Sequence, residues 1–231
     1  MSTGHYHHYT HGCQQSTVRE KQQYVWLSDC IHKIDSKRGG HAYFAKIRGT
    51  LELLQHAPPN KLYLLMDAFD TYFRHPRSDL LRRFRESNCS IAISTEINFI
   101  HQPQEWQRTF DAMSRQESRY LNSGLVLGYG HAMRGLLSVS ANSSHLTISS
   151  KRGADQASLA DALVHKGFDH FGACLDYSQS MFYTASGKRW SLRQSNDDIA
   201  LYDPVVVHFP FTAAPRVNRT LHASYDGQNG A

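Results

Sequence analysis

The chain has 231 residues, enough for one sizeable hydrophobic core and short of what two would need. Its 40% hydrophobic and 19% charged content excludes wholesale disorder. The net charge of +5 comes without a Lys/Arg block or an RNA-binding aromatic signature, which argues against nucleic acid as a partner. No run of about eighteen apolar residues occurs, so no membrane-spanning helix is expected, and residues 1–30 lack the apolar segment of a signal peptide.

In chain order, residues 1–23 are polar and rich in His (His5, His7, His8, His11) without periodicity. Gly4 and Gly12 oppose the helix that would pair these imidazoles on a metal, so a flexible tail is expected. Tyr24 to Leu27 (YVWL) reads as a strand, and Lys37-Arg38-Gly39-Gly40 as a loop. Phe44, Ile47, Leu51 and Leu54 recur at helical spacing over 42–54, and Pro58-Pro59 stops that helix. Leu62 to Met66 (LYLLM) is the unbroken apolar run of a strand buried on both faces, and it ends in Asp67-Ala68-Phe69-Asp70.

Further on, 80–84 is helical in pattern, Ser90 to Ser94 (SIAIS) is a strand ending at Thr95-Glu96, and 103–113 is helical with Pro103 suited to a first turn. Tyr120 to Tyr129 (YLNSGLVLGY) contains a strand entered through Asn122-Ser123-Gly124. Residues 154–164 have helical spacing, 168–175 and 181–183 read as short strands, and Val205 to Val207 delivers His208. This alternation predicts an α/β domain with a largely parallel central sheet flanked by helices, spanning 24–216 between tails at 1–23 and 217–231. In such sheets ligands bind beyond the carboxyl ends of the strands, where Asp67, Glu96 and His208 fall.

Cys13, Cys30, Cys89 and Cys174 form no CxxC pair. A structural zinc site is not expected, and idle thiols and disulfides both stay open. Sequons at Asn88, Asn142 and Asn218 hint at a secretory history.

Asp67 and Asp70, three residues apart at a strand mouth, can turn into one cavity. Their mutual repulsion is what a divalent cation relieves, and hard oxygen ligands suit Mg²⁺ or Mn²⁺. An imidazole from His208 would favour Mn²⁺. The structural alternative makes Asp67 a strand end, Asp70 a turn residue and His208 a packed side chain.

Taken together, the ordered strings LLMDAFDTYF, ISTE, RYLNSGLVLGY, ADQ, LD and VVVHF resemble the glycosyltransferase domain of the multifunctional procollagen lysyl hydroxylases, and in part the related collagen galactosyltransferases. The likeness runs from about Tyr24 to Arg216, with RYLNSG…GY its most specific element. It implies a GT-A-type, Rossmann-like fold that uses Mn²⁺ and a UDP-sugar. By position, Asp67, Asp70 and His208 would hold Mn²⁺, and Lys46 would add charge near the diphosphate. Asn122, Ser123, Gly124 and Gln156 would line the donor site, with Asp155 and Asn122 nearest the chemistry. Glu96 and Asp176 are either pocket residues or structural ones, and Asp155 could also be an ordinary helix N-cap.

The implied reaction moves glucose or galactose from UDP-glucose or UDP-galactose to a hydroxyl of a protein or glycan acceptor. It implies a retaining mechanism, and with no nucleophile in evidence that would lean on leaving-group stabilisation and geometry. The resemblance also points to the secretory pathway. Three departures stand out: the family's opening strand is absent or replaced by the His-rich segment, its acidic run before D-Q shrinks to Gly153-Ala154-Asp155, and its G-N-G after the His becomes Phe209-Pro210-Phe211. The first leads one to expect either a truncated chain or a rebuilt base pocket. The alternatives are a catalytically weak or inactive nucleotide-sugar-binding module, and a metal-dependent phosphoesterase on the same carboxylates.

Overall fold

The computed structural model describes residues 24–27, 41–67, 70–148, 153–185, 197 and 199–210. The expected tails, the 37–40 loop, Cys13, Cys30 and the Asn218 sequon lie outside them.

Among the described residues, five strands form the main sheet: β1 (Tyr24–Leu27), β2 (Leu62–Met66), β4 (Ile91–Glu96), β5 (Tyr120–Tyr129) and β6 (Ala173–Leu175), in the order β1-β2-β5-β4-β6. Pairing is parallel for β1/β2 and β4/β6, and antiparallel on both sides of β5. The expected α/β class is present. The largely parallel sheet is not, because β5 is inserted against the direction of its neighbours and leaves the sheet mixed.

LYLLM is apolar throughout because both faces of β2 are covered. Successive side chains alternate across a sheet. Tyr63 and Leu65 join one core with Ile47, Leu54, Met133, Leu136, Leu159 and Leu163, while Leu62 and Leu64 join another with Leu80, Phe84, Phe182 and Val206. The first core lies under α1 (His41–Gln55), α4 (Gly130–Ser140), α5 (Ser144–Ile148) and α6 (Ala154–Lys166), and the short α3 (Gln107–Met113) adds Phe110. The second lies under α2 (Arg77–Glu86) and a three-stranded sheet of β3 (Thr71–Phe73), β8 (Val206–His208) and β7 (Phe182–Thr184). In that small sheet β8 is central, antiparallel to β3 and parallel to β7.

Residues 168–175, expected as a strand, divide in two. Gly167 (φ 92°) and Gly172 (φ 58°) bracket a helical turn, α7 (Phe168–Phe171), before β6 begins. Cys89, just before β4, is disulfide-bonded to Cys174 of β6 with 6.0 Å between Cα atoms, which ties the edge strand to the sheet. Among the described residues no helix is long and apolar enough to cross a membrane.

Candidate metal centre and the buried polar cluster beside it

Two chain segments far apart in sequence converge at the end of β2. Asp67 follows β2 directly, and its N–H donates to Gly124 O at 2.9 Å. Asp70 precedes β3, whose pairing sets Thr71 opposite His208 and leads Phe209 N–H to Asp70 O at 2.8 Å. The β3/β8 ladder therefore fixes Asp70 beside His208. One ligand atom from each of Asp67, Asp70 and His208 lies within 4.8 Å of the others. His208 Nε2 stands 3.5 Å from Asp67 Oδ2 and 3.6 Å from Asp70 Oδ2.

The imidazole is 1% exposed, and among the described residues neither ring nitrogen has a hydrogen-bond partner. Buried polar atoms are seldom left so. Two carboxylates and an orphaned imidazole facing one point are the donor set of a divalent cation, and mixed oxygen and nitrogen ligation suits Mn²⁺. The residues fit such an ion. Burial opposes the charge on Asp70, but the facing His208 outweighs it, and Lys46 helps to hold the carboxyl below its usual pKa.

Beside this centre lies a buried network built on an irregularity of β5. Ile93 pairs with Val126 but Thr95 pairs with Leu121, so five steps along β5 answer two along β4. The surplus holds Asn122, Ser123 and Gly124, bulged out of the regular ladder. Lys46, on α1 and 8% exposed, reaches across to donate to Asp67 Oδ1 (2.8 Å), Asp155 Oδ2 (2.8 Å) and Ser123 O (2.9 Å). Burial alone would lower this ammonium's pKa. The Asp155 and Asp67 carboxylates more than offset that and hold it above the ordinary lysine value.

Asp155 also accepts the Ser123 hydroxyl at 2.8 Å. It is not an N-cap: Gly153, in the left-handed region at φ 78°, begins α6 without a side-chain cap, and Asp155 turns inward from the first turn. Gln156 accepts Ser123 N–H at 3.3 Å and donates to Glu96 Oε1 at 3.0 Å and Ile100 O at 3.1 Å. Asn122 donates to the same Glu96 oxygen at 3.1 Å and accepts Gly124 N–H at 2.9 Å. Apart from Asp176, every candidate site residue named from the resemblance falls in these two adjoining groups. Glu96, fully buried, is the hub that joins Asn122 to Gln156.

Asp176 lies apart in role. Its carboxylate accepts Met181 N–H (2.8 Å), Phe182 N–H (2.9 Å) and the Ser178 hydroxyl (2.8 Å), bracing the turn from β6 to β7. Burial pushes its pKa up even though these donors pull the other way.

Sequence reasoning passed over Thr71, whose hydroxyl donates to Asp67 O, and Thr184, in register with His208 on β7. It also passed over His101, a non-glycine residue at φ 60° whose ring lies against Gly153: a Cβ there would come 2.3 Å from His101 Cγ. The strand pairing that gives the threonines their meaning has no local signal.

No curated protein matches the chain. The family profile described as the PLOD GT domain matches residues 23–146, just over half of the 231, and this stretch carries Lys46, Asp67, Asp70, Glu96 and Asn122 to Gly124. Asp155, Gln156 and His208 lie beyond the matched stretch and are joined to it by the contacts above. The chain belongs to the PLOD glycosyltransferase-domain family.

Proposed function

We propose that the protein is a Mn²⁺-dependent glycosyltransferase of GT-A type that moves glucose or galactose from UDP-glucose or UDP-galactose to a protein or glycan hydroxyl. The observation that carries this reading is the meeting of Asp67 and Asp70 with the distant His208, whose buried imidazole has no hydrogen-bond partner among the described residues. A bound divalent cation there would offset the charge of the diphosphate as UDP departs.

The chain's own groups do the rest. The ammonium of Lys46 holds Asp67 and Asp155 in place across the site floor. Asn122, Ser123 and Gln156 supply amide and hydroxyl groups of the kind that bind sugar hydroxyls. Asp155, set among them, orients the donor sugar. The Cys89–Cys174 disulfide supports folding in an oxidising compartment, in keeping with a secretory route.

A screen of UDP-sugars with Mn²⁺, read as UDP release, tests the proposal. Release should require Mn²⁺ and vanish in Asp67→Ala; turnover unchanged in that variant would remove the metal assignment.

A second reading, a binding module with little turnover, has one observation in its favour. All three Lys46 partners are protein oxygens, so in this state the ammonium is not offered to a phosphate. Binding of UDP with Mn²⁺ in calorimetry, beside absent turnover, would select it.

A further inference from the structure

Two buried polar groups that have no hydrogen-bond partner among the described residues sit on neighbouring strands. On β8, the Nδ1 and Nε2 atoms of His208 both lack a hydrogen bond. On β7, Thr184 is 3% exposed and its Oγ1 also lacks one. Thr184 and His208 are register partners in the parallel β7/β8 ladder, and the Ala185 N–H to His208 O bond of 2.8 Å belongs to the same ladder. Register partners project from the same face of a sheet.

The two flanks of β8 differ. On the β3 side, Asp67 and Asp70 face Nε2, and the register partner Thr71 has already given its hydroxyl to Asp67 O. On the β7 side stands Thr184, with its hydroxyl unspent. A neutral imidazole carries one N–H, and only the Nδ1–H tautomer leaves a lone pair on Nε2 for a metal. Histidines that bind metal through one nitrogen generally donate from the other, and that donation fixes tautomer and ring angle.

We propose that Thr184 is a positioning residue of the metal centre. When a cation binds, its Oγ1 takes up the Nδ1–H of His208, a bond the structure itself does not show, and so holds Nε2 toward Asp67 and Asp70. The inference rests on the metal reading of those three residues and adds to it a residue outside the ligand set, on a different strand.

Mn²⁺ affinity measured by calorimetry, together with thermal stability in the absence of metal, tests it in Thr184→Val, Thr184→Ser, Thr184→Ala and His208→Ala. Thr184→Val keeps the side-chain shape and removes the acceptor. Mn²⁺ affinity should fall by about 10- to 100-fold, while metal-free stability holds or rises because a buried unpartnered hydroxyl is gone. Thr184→Ser should bind Mn²⁺ within a few-fold of wild type. A purely structural role predicts the reverse for Val, with stability lost and affinity kept.

Wild-type affinity in Thr184→Val beside a large loss in His208→Ala overturns the role of Thr184 and leaves the metal centre standing. Wild-type affinity in His208→Ala overturns the metal centre and this inference with it. Should Thr184→Val fail to fold, Thr184→Ala against Thr184→Ser decides by the same comparison: equal affinities overturn the proposal.

Discussion

Gly124 leaves room for His208. A Cβ on Gly124 would lie 2.1 Å from His208 Cε1 and 2.4 Å from Nδ1, so the imidazole rests directly on the glycine backbone. The glycine of the LNSG string is thus required by steric contact, at a backbone φ that needs no glycine of its own. Gly124 is held by its own bonds, its O by the Asp67 N–H and its N–H by Asn122 Oδ1, so the ring must move instead.

Gly124→Ala should therefore act as a metal-site mutation. Mn²⁺ affinity is expected to fall roughly 100-fold as the imidazole is pushed from the carboxylates, with about 1–3 kcal/mol of overpacking cost in folding stability. Titration of Mn²⁺ alongside urea unfolding checks both. Unaltered Mn²⁺ affinity in a folded variant would mean that the ring position does not matter for binding.

Lys46→Met removes the cation shared by Asp67 and Asp155 and leaves two carboxylates facing each other across a buried gap. Breaking a buried pair in this way costs about 3–5 kcal/mol, and urea unfolding of the variant should show a loss of that order. The sign with pH follows from the raised lysine pKa. The stabilisation is complete below the ordinary lysine value of 10.5 and is lost only as pH rises through the higher folded-state value. The gap between wild type and variant should therefore stay level through neutral and mildly alkaline buffers. A gap that closes near neutrality would assign the ion pair to something other than this ammonium.

How much of this was legible in the sequence depended on whether the signal was local. LYLLM announced a doubly covered strand because its apolar run is continuous, and Asp67 and Asp70 stood out at its end. The helix α4 had no such signal. GHAMRGLLSVS holds two glycines and three β-branched or hydroxyl residues in its second half, poor helix formers that packing of Ala132, Met133, Leu136 and Leu137 overrides. The reversed direction of β5 was illegible for a related reason: a strand's sense in a sheet is set by partners, and β5 pairs with segments more than twenty residues away. The site residues were found through the resemblance of their strings. Their connections, such as Lys46 to Asp155 or Glu96 to Gln156, needed the fold.

The Cys89–Cys174 bond closes a loop across a sequence separation of 85 residues. In the chain-entropy account a loop of that size stabilises by about 4.6 kcal/mol. Cys89→Ser, or reductant, should lower the urea midpoint accordingly while leaving the far-UV circular dichroism of the folded protein unchanged. A midpoint indifferent to reductant would show that the thiols are not bonded in solution.

The segment that leads into His208 is clamped at Asp203. Asp203, at φ 49°, accepts Arg74 Nη1 (2.7 Å), His75 Nε2 (2.8 Å) and Arg83 Nη2 (3.3 Å). Arg83 also grips Ser180 O and Asp203 O, and the Arg74 and His75 amides donate to Val205 O. These contacts lash the segment leading into β8 to α2 and to the strand β3 that follows Asp70. The bond to His75 leads, desolvation opposes it, and the His75 and arginine charges add to it, so the Asp203 carboxyl is held below its ordinary pKa. A depressed carboxylate contributes above its unfolded pKa and is lost as pH falls through the folded one. The clamp is therefore complete at neutral pH and opens only in acid below the usual carboxylate range. Asp203→Asn keeps the shape and removes the charge, so it should imitate acid at neutral pH. Expected are a few-fold weaker Mn²⁺ binding and faster amide hydrogen exchange in β8, with the main sheet unaffected. If exchange in β8 and Mn²⁺ binding both match wild type, the clamp has no hold on the strand that delivers His208.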